Sequence, residues 1–362
     1  MWPGFVLLSL VALALGRVNT MVFLREQEAA ELALPPRLRR AADQLRAGAW
    51  ASLATAILGA AIVVGSRNLQ HFDAALVVYT FAVVFATWGV AYHYAVWLQK
   101  PPTGLYWRRG WQLVRRRGVL RSAALLARTT GTHLLGQGFI YQRSRLRWWM
   151  HQLLFWGCLL AVAITFPLVF GWIHFGTRPH DQMQYVTYVF GFEVASFRLR
   201  TALAWLIFHG LDVAAVLVLA GIALSLWRRL RDRGALAVQT FALDLFPLVL
   251  LFAISVTGLA LTVSTLWLRG AYYGFLAILH AITVIAALLF LPFGKFFHIF
   301  QRPAQLGVKL YQQEGAEGEQ ARCARCGQAF ASRMHVEDLK AVLPQLGFDY
   351  RFPGAAGHWQ EV

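Results

Sequence analysis

The chain has 362 residues, 58% of them hydrophobic and 14% charged; soluble domains carry roughly 25% charged residues, so a large soluble domain is excluded. A formal net charge of +17 raises the question of nucleic acid. The Lys and Arg residues, however, gather in a few segments between apolar runs, the pattern of membrane-flanking loops, and no nucleic-acid partner is expected.

Apolar runs of about 20 residues are long enough to cross a bilayer. They predict helices at about 4–24, 50–66, 73–98, 148–174, 201–227, 241–267 and 272–298. The first carries Arg17 and the second is short, so the count is six to seven. Residues 4–24 are read as a retained span, because no basic leader or small-residue cleavage site accompanies them. The expected fold is an all-α membrane bundle. Its parts are N-terminal helices in 1–70, a further span in 71–99, a basic amphipathic segment in 100–147, a four-helix core in 148–302 and a polar tail in 303–362.

Placing 99–147 in the cytoplasm puts 28 of the 34 Lys and Arg on that side and five on the other, with Arg17 inside a span. The positive-inside bias then sets the C-terminus in the cytoplasm of a bacterial or archaeal plasma membrane. The stretch "YWRRGWQLVRRRGVLRSAALLARTT" mixes basic and apolar residues as an interfacial helix does. It reads as a topology anchor against lipid, with docking of a cytoplasmic partner as the sharper alternative.

Ionisable residues inside a membrane are costly, so each requires a reason. Neutral imidazole ligates haem iron, and a haem between helices takes one such ligand from each side. His280 and His298 are 18 residues apart in the last predicted span. On one continuous helix that is five turns and about 27 Å, which puts a ligand near each surface. Depth pairs His298 with His151, in "RWWMHQLLFWG", and His280 with His209, in "AWLIFHGLDV". Two b-type haems follow. His93 rivals His151, His133 reads as solvated, and Pro292 is expected to bend the last helix. On the outer side His71 stands at a span end, and His174, Arg178, His180 and Asp181 are candidates for a quinone or proton path.

Cys158 lies in an apolar run and reads as inert packing. In the tail, Cys323 and Cys326 form a C-x-x-C-G turn typical of zinc knuckles, with His335 and His358 as the available further ligands. Two cysteines are too few for an iron–sulfur cluster.

The stretch "LHAITVIAALLFLPFGKFFHIF" resembles the last helix of the gamma (cytochrome b) subunit of respiratory nitrate reductases. "YQRSRLRWWMHQLLFWG" is similar to a helix entry in the membrane subunits of heterodisulfide reductases and dissimilatory sulfite-reduction complexes. The likeness covers roughly residues 130–302. It implies a diheme subunit that oxidises quinol near the outer surface and passes electrons to a cytoplasmic iron–sulfur or molybdenum oxidoreductase. His280, His298 and His151 fall on family ligand positions. Ala161 stands where the nitrate reductase subunit has its fourth ligand, and His209 is the substitute chosen on depth. The alternative is a proton-coupled secondary transporter, which would ordinarily show internal repeats and a midplane site.

Overall fold

The computed structural model describes residues 36–348 except 233, 235–238 and 324–325. The predicted helix at 4–24 and His358 lie outside the described residues. The chain divides between residues 49 and 50 into two units, the first of which contributes only the start of helix α1 (Pro36–Gly65).

Six helices are long and apolar enough to cross a membrane. They are the apolar part of α1, then α2 (Val77–Gln99), α5 (Arg145–Val169), α6 (Ala202–Arg231), the run ending in α7 (Phe246–Leu266), and α8 (Tyr273–Phe290). Between α2 and α5 come α3 (Pro101–Arg117) and α4 (Val119–Thr129). The chain closes with α9 (His298–Glu317), a hairpin of β4 (Gln320–Arg322) and β5 (Ala329–Ser332), and α10 (Arg333–Val342).

Glycines let α5 and α6 approach closely. A Cβ on Gly157 would lie 2.9 Å from the Ala214 carbonyl oxygen, and one on Gly221 would lie 3.1 Å from the Leu154 nitrogen. Small residues at such a seam are how apolar helices associate where lipid removes the hydrophobic drive. On its other flank α6 packs on α7, and α7 packs on α8. Next, α8 packs on α2, where Gly89 makes room for Pro292: a Cβ there would sit 2.7 Å from Pro292 Cγ. Ile62, Val83 and Phe170 form a core joining α1, α2 and the end of α5.

Between α5 and α6 the chain forms an antiparallel meander of β1 (Ile173–Arg178), β2 (Asp181–Val189) and β3 (Phe192–Arg198), in the order β1-β2-β3. The turn between β2 and β3 has positive φ at both Phe190 (50°) and Gly191 (78°), the hairpin geometry that matches strand twist. The mostly helical architecture with six helices long and apolar enough to span a membrane agrees with the expected all-α membrane fold, to which the structure adds a β meander at one end.

At the opposite end α3, α4, α9, the β4–β5 hairpin and α10 form an extramembrane module. Its core is Leu113, Leu310 and Tyr311. Asp338, 4% exposed, accepts from the Arg109 guanidinium (2.8 Å) and from the Tyr311 hydroxyl (2.8 Å). The Asp338 charge and burial together push the Tyr311 hydroxyl well above its ordinary range, burial being the larger cause. Arg117 reaches Glu314 (2.6 Å) and Glu317 (2.5 Å). One face of the basic segment is thus covered by protein, while Trp107 and Trp111 stay exposed.

Candidate functional site

The last predicted span, 272–298, is not one helix. α8 stops at Phe290, Gly294 is extended (φ −104°, ψ −171°), a short turn runs over Lys295–Phe297, and α9 starts at His298. Proline lacks the amide proton a continuing helix needs and restricts the residue before it. Pro292, buried against Gly89, therefore ends the span. His280 and His298 lie on different helices, and the five-turn alignment is replaced by a break.

The break brings His298 to the start of α5. His151 has His298, Arg302 and Arg228 within electrostatic reach. Ser144 caps α5 by accepting from the Arg147 amide (3.4 Å), and Gln152 donates to the Leu135 carbonyl (3.0 Å), which together fix the turn carrying His151. Arg302 lies over the Phe139 ring, 4.8 Å from its centroid. Arg228 Nε is buried without a hydrogen-bond partner, and among the described residues neither Arg228 nor Arg302 forms an ion pair. His93 lies nearby, edge-on to Phe293 and Phe297 at 5.9 Å each.

Hydrogen bonds assign the tautomers. The Thr257 hydroxyl donates to the Ala253 carbonyl (2.6 Å), so it accepts from His280 Nδ1 (2.9 Å). Asp212 accepts from His209 Nδ1 (2.8 Å) and from the Thr262 hydroxyl (2.7 Å). His298 Nδ1 donates to the Lys295 carbonyl. All three rings thus carry a proton on Nδ1, which in the neutral imidazole leaves the lone pair on Nε2, the arrangement that orients metal-ligating histidines.

His209 and His280 are not brought together. One is tied to α7 from α6 and the other from α8, so α7 lies between their helices. Asp212 and Thr262 are level, Thr257 is five residues further from the meander end, and His209 three residues nearer to it. At 1.5 Å per residue the two histidines differ in depth by about 12 Å.

The quinone candidates on the meander also separate. His174 sits at the base of β1, whereas Arg178, His180 and Asp181 lie at the β1–β2 turn, about 13 Å further on at 3.3 Å per residue. There Arg178 pairs with Glu193 (2.6 Å) and Asp181 with Arg198 (3.6 Å). His174 instead stacks between His71, at 4.2 Å, and Tyr188, at 4.9 Å.

In the tail, the Cys323 amide donates to the Gln328 carbonyl (2.9 Å) and the Gly327 amide to the Cys323 carbonyl (2.9 Å), forming a knuckle turn with Gly327 at φ +71°. His335 is held elsewhere, its amide on Ser332 Oγ (3.2 Å) and its ring near Tyr311. Among the described residues no three His, Cys, Asp or Glu side chains converge as a metal site; a tetrahedral zinc ion would need two ligands beyond Cys323 and Cys326.

Sequence reasoning missed Asp212, although its i,i+3 spacing from His209 puts both on one helix face. Comparison with family models, with curated proteins and with solved structures finds no match.

Proposed function

We propose that this membrane protein is a b-type cytochrome that carries electrons between the quinone pool and a cytoplasmic iron–sulfur or molybdenum oxidoreductase. In this reading the chain is the quinol-oxidising subunit, multi-pass in a bacterial or archaeal plasma membrane, with its C-terminus in the cytoplasm. The observation that carries the reading is that His298, Arg228 and Arg302 lie within electrostatic reach of His151, while neither arginine forms an ion pair among the described residues.

Those residues fit a haem. His151 and His298 would ligate its iron, with the Lys295 carbonyl orienting the His298 ring. Arg228 and Arg302 would hold the propionate carboxylates, giving the buried Arg228 Nε the anion it lacks. When bound, haem supplies one-electron redox chemistry; the protein contributes ligand identity, burial and position. α8 adds support, because none of its residues is buried whereas the other five spans bury 11–28% of their apolar windows. A face of α8 is thereby left for a planar group. His280, oriented by Thr257, is the candidate ligand of a second haem. As its opposite ligand, His209 is disfavoured by the depth difference and the intervening α7. Resemblance to the gamma subunit of nitrate reductases adds to the case. Cys323 and Cys326 stay as a zinc half-site, testable by the metal content of the full chain.

The test is a dithionite-reduced minus oxidised spectrum of the purified full-length protein with a pyridine haemochrome count. A b-type α-band is expected, and His298→Ala and His151→Ala should each remove one haem. Absence of haem after expression in a haem-replete host overturns the reading and moves the proton-coupled transporter to the front.

A further inference from the structure

The outer end of α6 carries a carboxylate inside a membrane-crossing helix, which costs about 2.5–3.5 kcal/mol near the bilayer centre and requires partners. Asp212 has two, His209 and Thr262, at 2.8 and 2.7 Å. A carboxylate only accepts, so His209 presents a proton on Nδ1, and in its neutral form the ring keeps a lone pair on Nε2. His209, Asp212 and Thr262 line an open cleft of about 270 Å³ between α6, α7 and the start of α8. Its other walls are apolar: Phe208, Leu266 and Tyr273. Phe208 is itself fixed by the meander, with Tyr185 at 5.5 Å, Phe175 at 5.7 Å and Phe197 at 5.9 Å, and Trp205 lies 5.1 Å from the His209 ring.

We infer that this cleft binds the hydroquinone head group of a membrane quinol, with His209 Nε2 accepting from one phenolic hydroxyl and Asp212 acting as the positioning residue. The inference rests on the cytochrome reading for the identity of the ligand class. The chemistry selects it: a flat apolar ring matches the aromatic and leucine walls, an O–H donor matches the lone pair of a neutral imidazole, and a molecule dissolved in the bilayer can reach an open cleft between membrane-crossing helices. Thr265 offers a second acceptor at the rim, since its own proton is spent on the Leu261 carbonyl (2.9 Å). This assignment moves the quinol site from Arg178, His180 and Asp181, which are engaged in or beside exposed ion pairs, to the helix ends. It also gives His209 a role other than haem ligation.

The test is calorimetric binding of menadiol, kept reduced, to the full-length protein in lipid nanodiscs, with the haem count measured on the same samples. His209→Leu should weaken binding about tenfold or more, the loss of one hydrogen bond to a charge-supported partner, with haem content unchanged. Asp212→Asn, which keeps an acceptor for the ring, should weaken it less. Leu266→Trp, which fills the cleft without touching the polar chain, should abolish binding. Unchanged affinity in both His209→Leu and Leu266→Trp overturns the inference, and so does loss of a haem in His209→Leu. A wild-type protein that binds menadiol yet contains no haem overturns the cytochrome reading and leaves the cleft standing. A haem-containing wild type that fails to bind menadiol overturns the cleft alone.

Discussion

His71 and His174 lie face to face, ring centroids 4.2 Å apart and planes 20° from parallel, and each has a buried ring nitrogen without a hydrogen-bond partner. The pair joins the segment after α1 to the base of the meander, where a Cβ on Gly171 would collide with the His71 carbonyl oxygen at 2.1 Å. Arg67, Asn68 and Leu69 precede it with φ of 50°, 57° and 66°, three successive left-handed residues that non-glycine side chains disfavour.

Burial, then the neighbouring His71, then Arg67, push the His174 imidazole below its ordinary range, while a Gly171 backbone hydrogen bond opposes them. The folded meander therefore binds fewer protons than the unfolded chain. Its stability is complete above the unfolded value of about 6.5 and is lost as pH falls from there through the folded value. Backbone hydrogen exchange over 173–198, corrected for intrinsic rates, should be faster at pH 5 than at pH 7.5. His174→Phe keeps the stack on Tyr188 and should flatten that dependence. Equal protection at both pH values in the wild type would refute the linkage.

Asp338 presents a second buried charge with a small set of partners. Its side chain is 5% exposed and that of Arg109 is 32% exposed. Removing the cation strands the carboxylate, so Arg109→Ala should destabilise the module by about 2–3 kcal/mol, below the full buried-pair cost because solvent reaches Arg109. Tyr311→Phe removes one donor and should cost about 1–2 kcal/mol. Limited proteolysis should cut the 303–348 region faster in the first variant than in the second. The reverse order would show that the hydroxyl, not the ion pair, anchors α10.

Much of this was legible in the sequence, and the failures have physical causes. Apolar run length located the described spans because length and hydropathy decide membrane insertion without reference to packing. The last span is shorter than its apolar run predicts. Hydropathy does not distinguish a helix from the turn at Leu291–Pro292–Phe293, where buried Pro292 acts as a stop rather than as the expected bend. Within 173–198 the signal was present: Tyr185-Val186-Thr187-Tyr188-Val189 is rich in β-formers, and Phe190-Gly191 is a two-residue turn. A search by apolar run length passes over it, because strands this short lie below the length that crosses a bilayer. Depth counting paired His209 with His280 because it measures distance along each helix from its end. The stagger between helices is set by tertiary contacts such as Asp212 to Thr262.

The α5–α6 seam gives a prediction about the bundle itself. Gly157→Val places branched carbon against the Ala214 carbonyl oxygen and Val218, whose atoms would lie 2.9 and 2.7 Å from even a single Cβ. Overpacking of this kind costs about 1–3 kcal/mol and pushes α5 off α6. Gly59, on α1, has nothing within 4 Å of its Cβ position. Gly59→Ala should therefore leave the detergent thermal midpoint unchanged or slightly raised, whereas Gly157→Val lowers it. A Gly157→Val protein as stable as wild type would mean that the seam is looser than its backbone separation implies.

Membrane orientation decides which end meets which partner. Of 34 Lys and Arg residues, 28 fall in segments that alternation places on the side of α3, α9 and the C-terminal hairpin, and five on the side of the meander. The positive-inside rule therefore predicts that the module faces the cytoplasm and the meander faces out. Two reporters distinguish the sides: Cys326 is exposed in the knuckle turn, and His180 is exposed at the β1–β2 turn. Cys158 is partly covered in a span and common to every sample. A membrane-impermeant maleimide applied to intact cells should label His180→Cys strongly, and Cys326 only after permeabilisation. Labelling of Cys326 in intact cells would invert the molecule. The His209 cleft would then lie at the cytoplasmic end, and the His151 and His298 end would lie away from any cytoplasmic oxidoreductase.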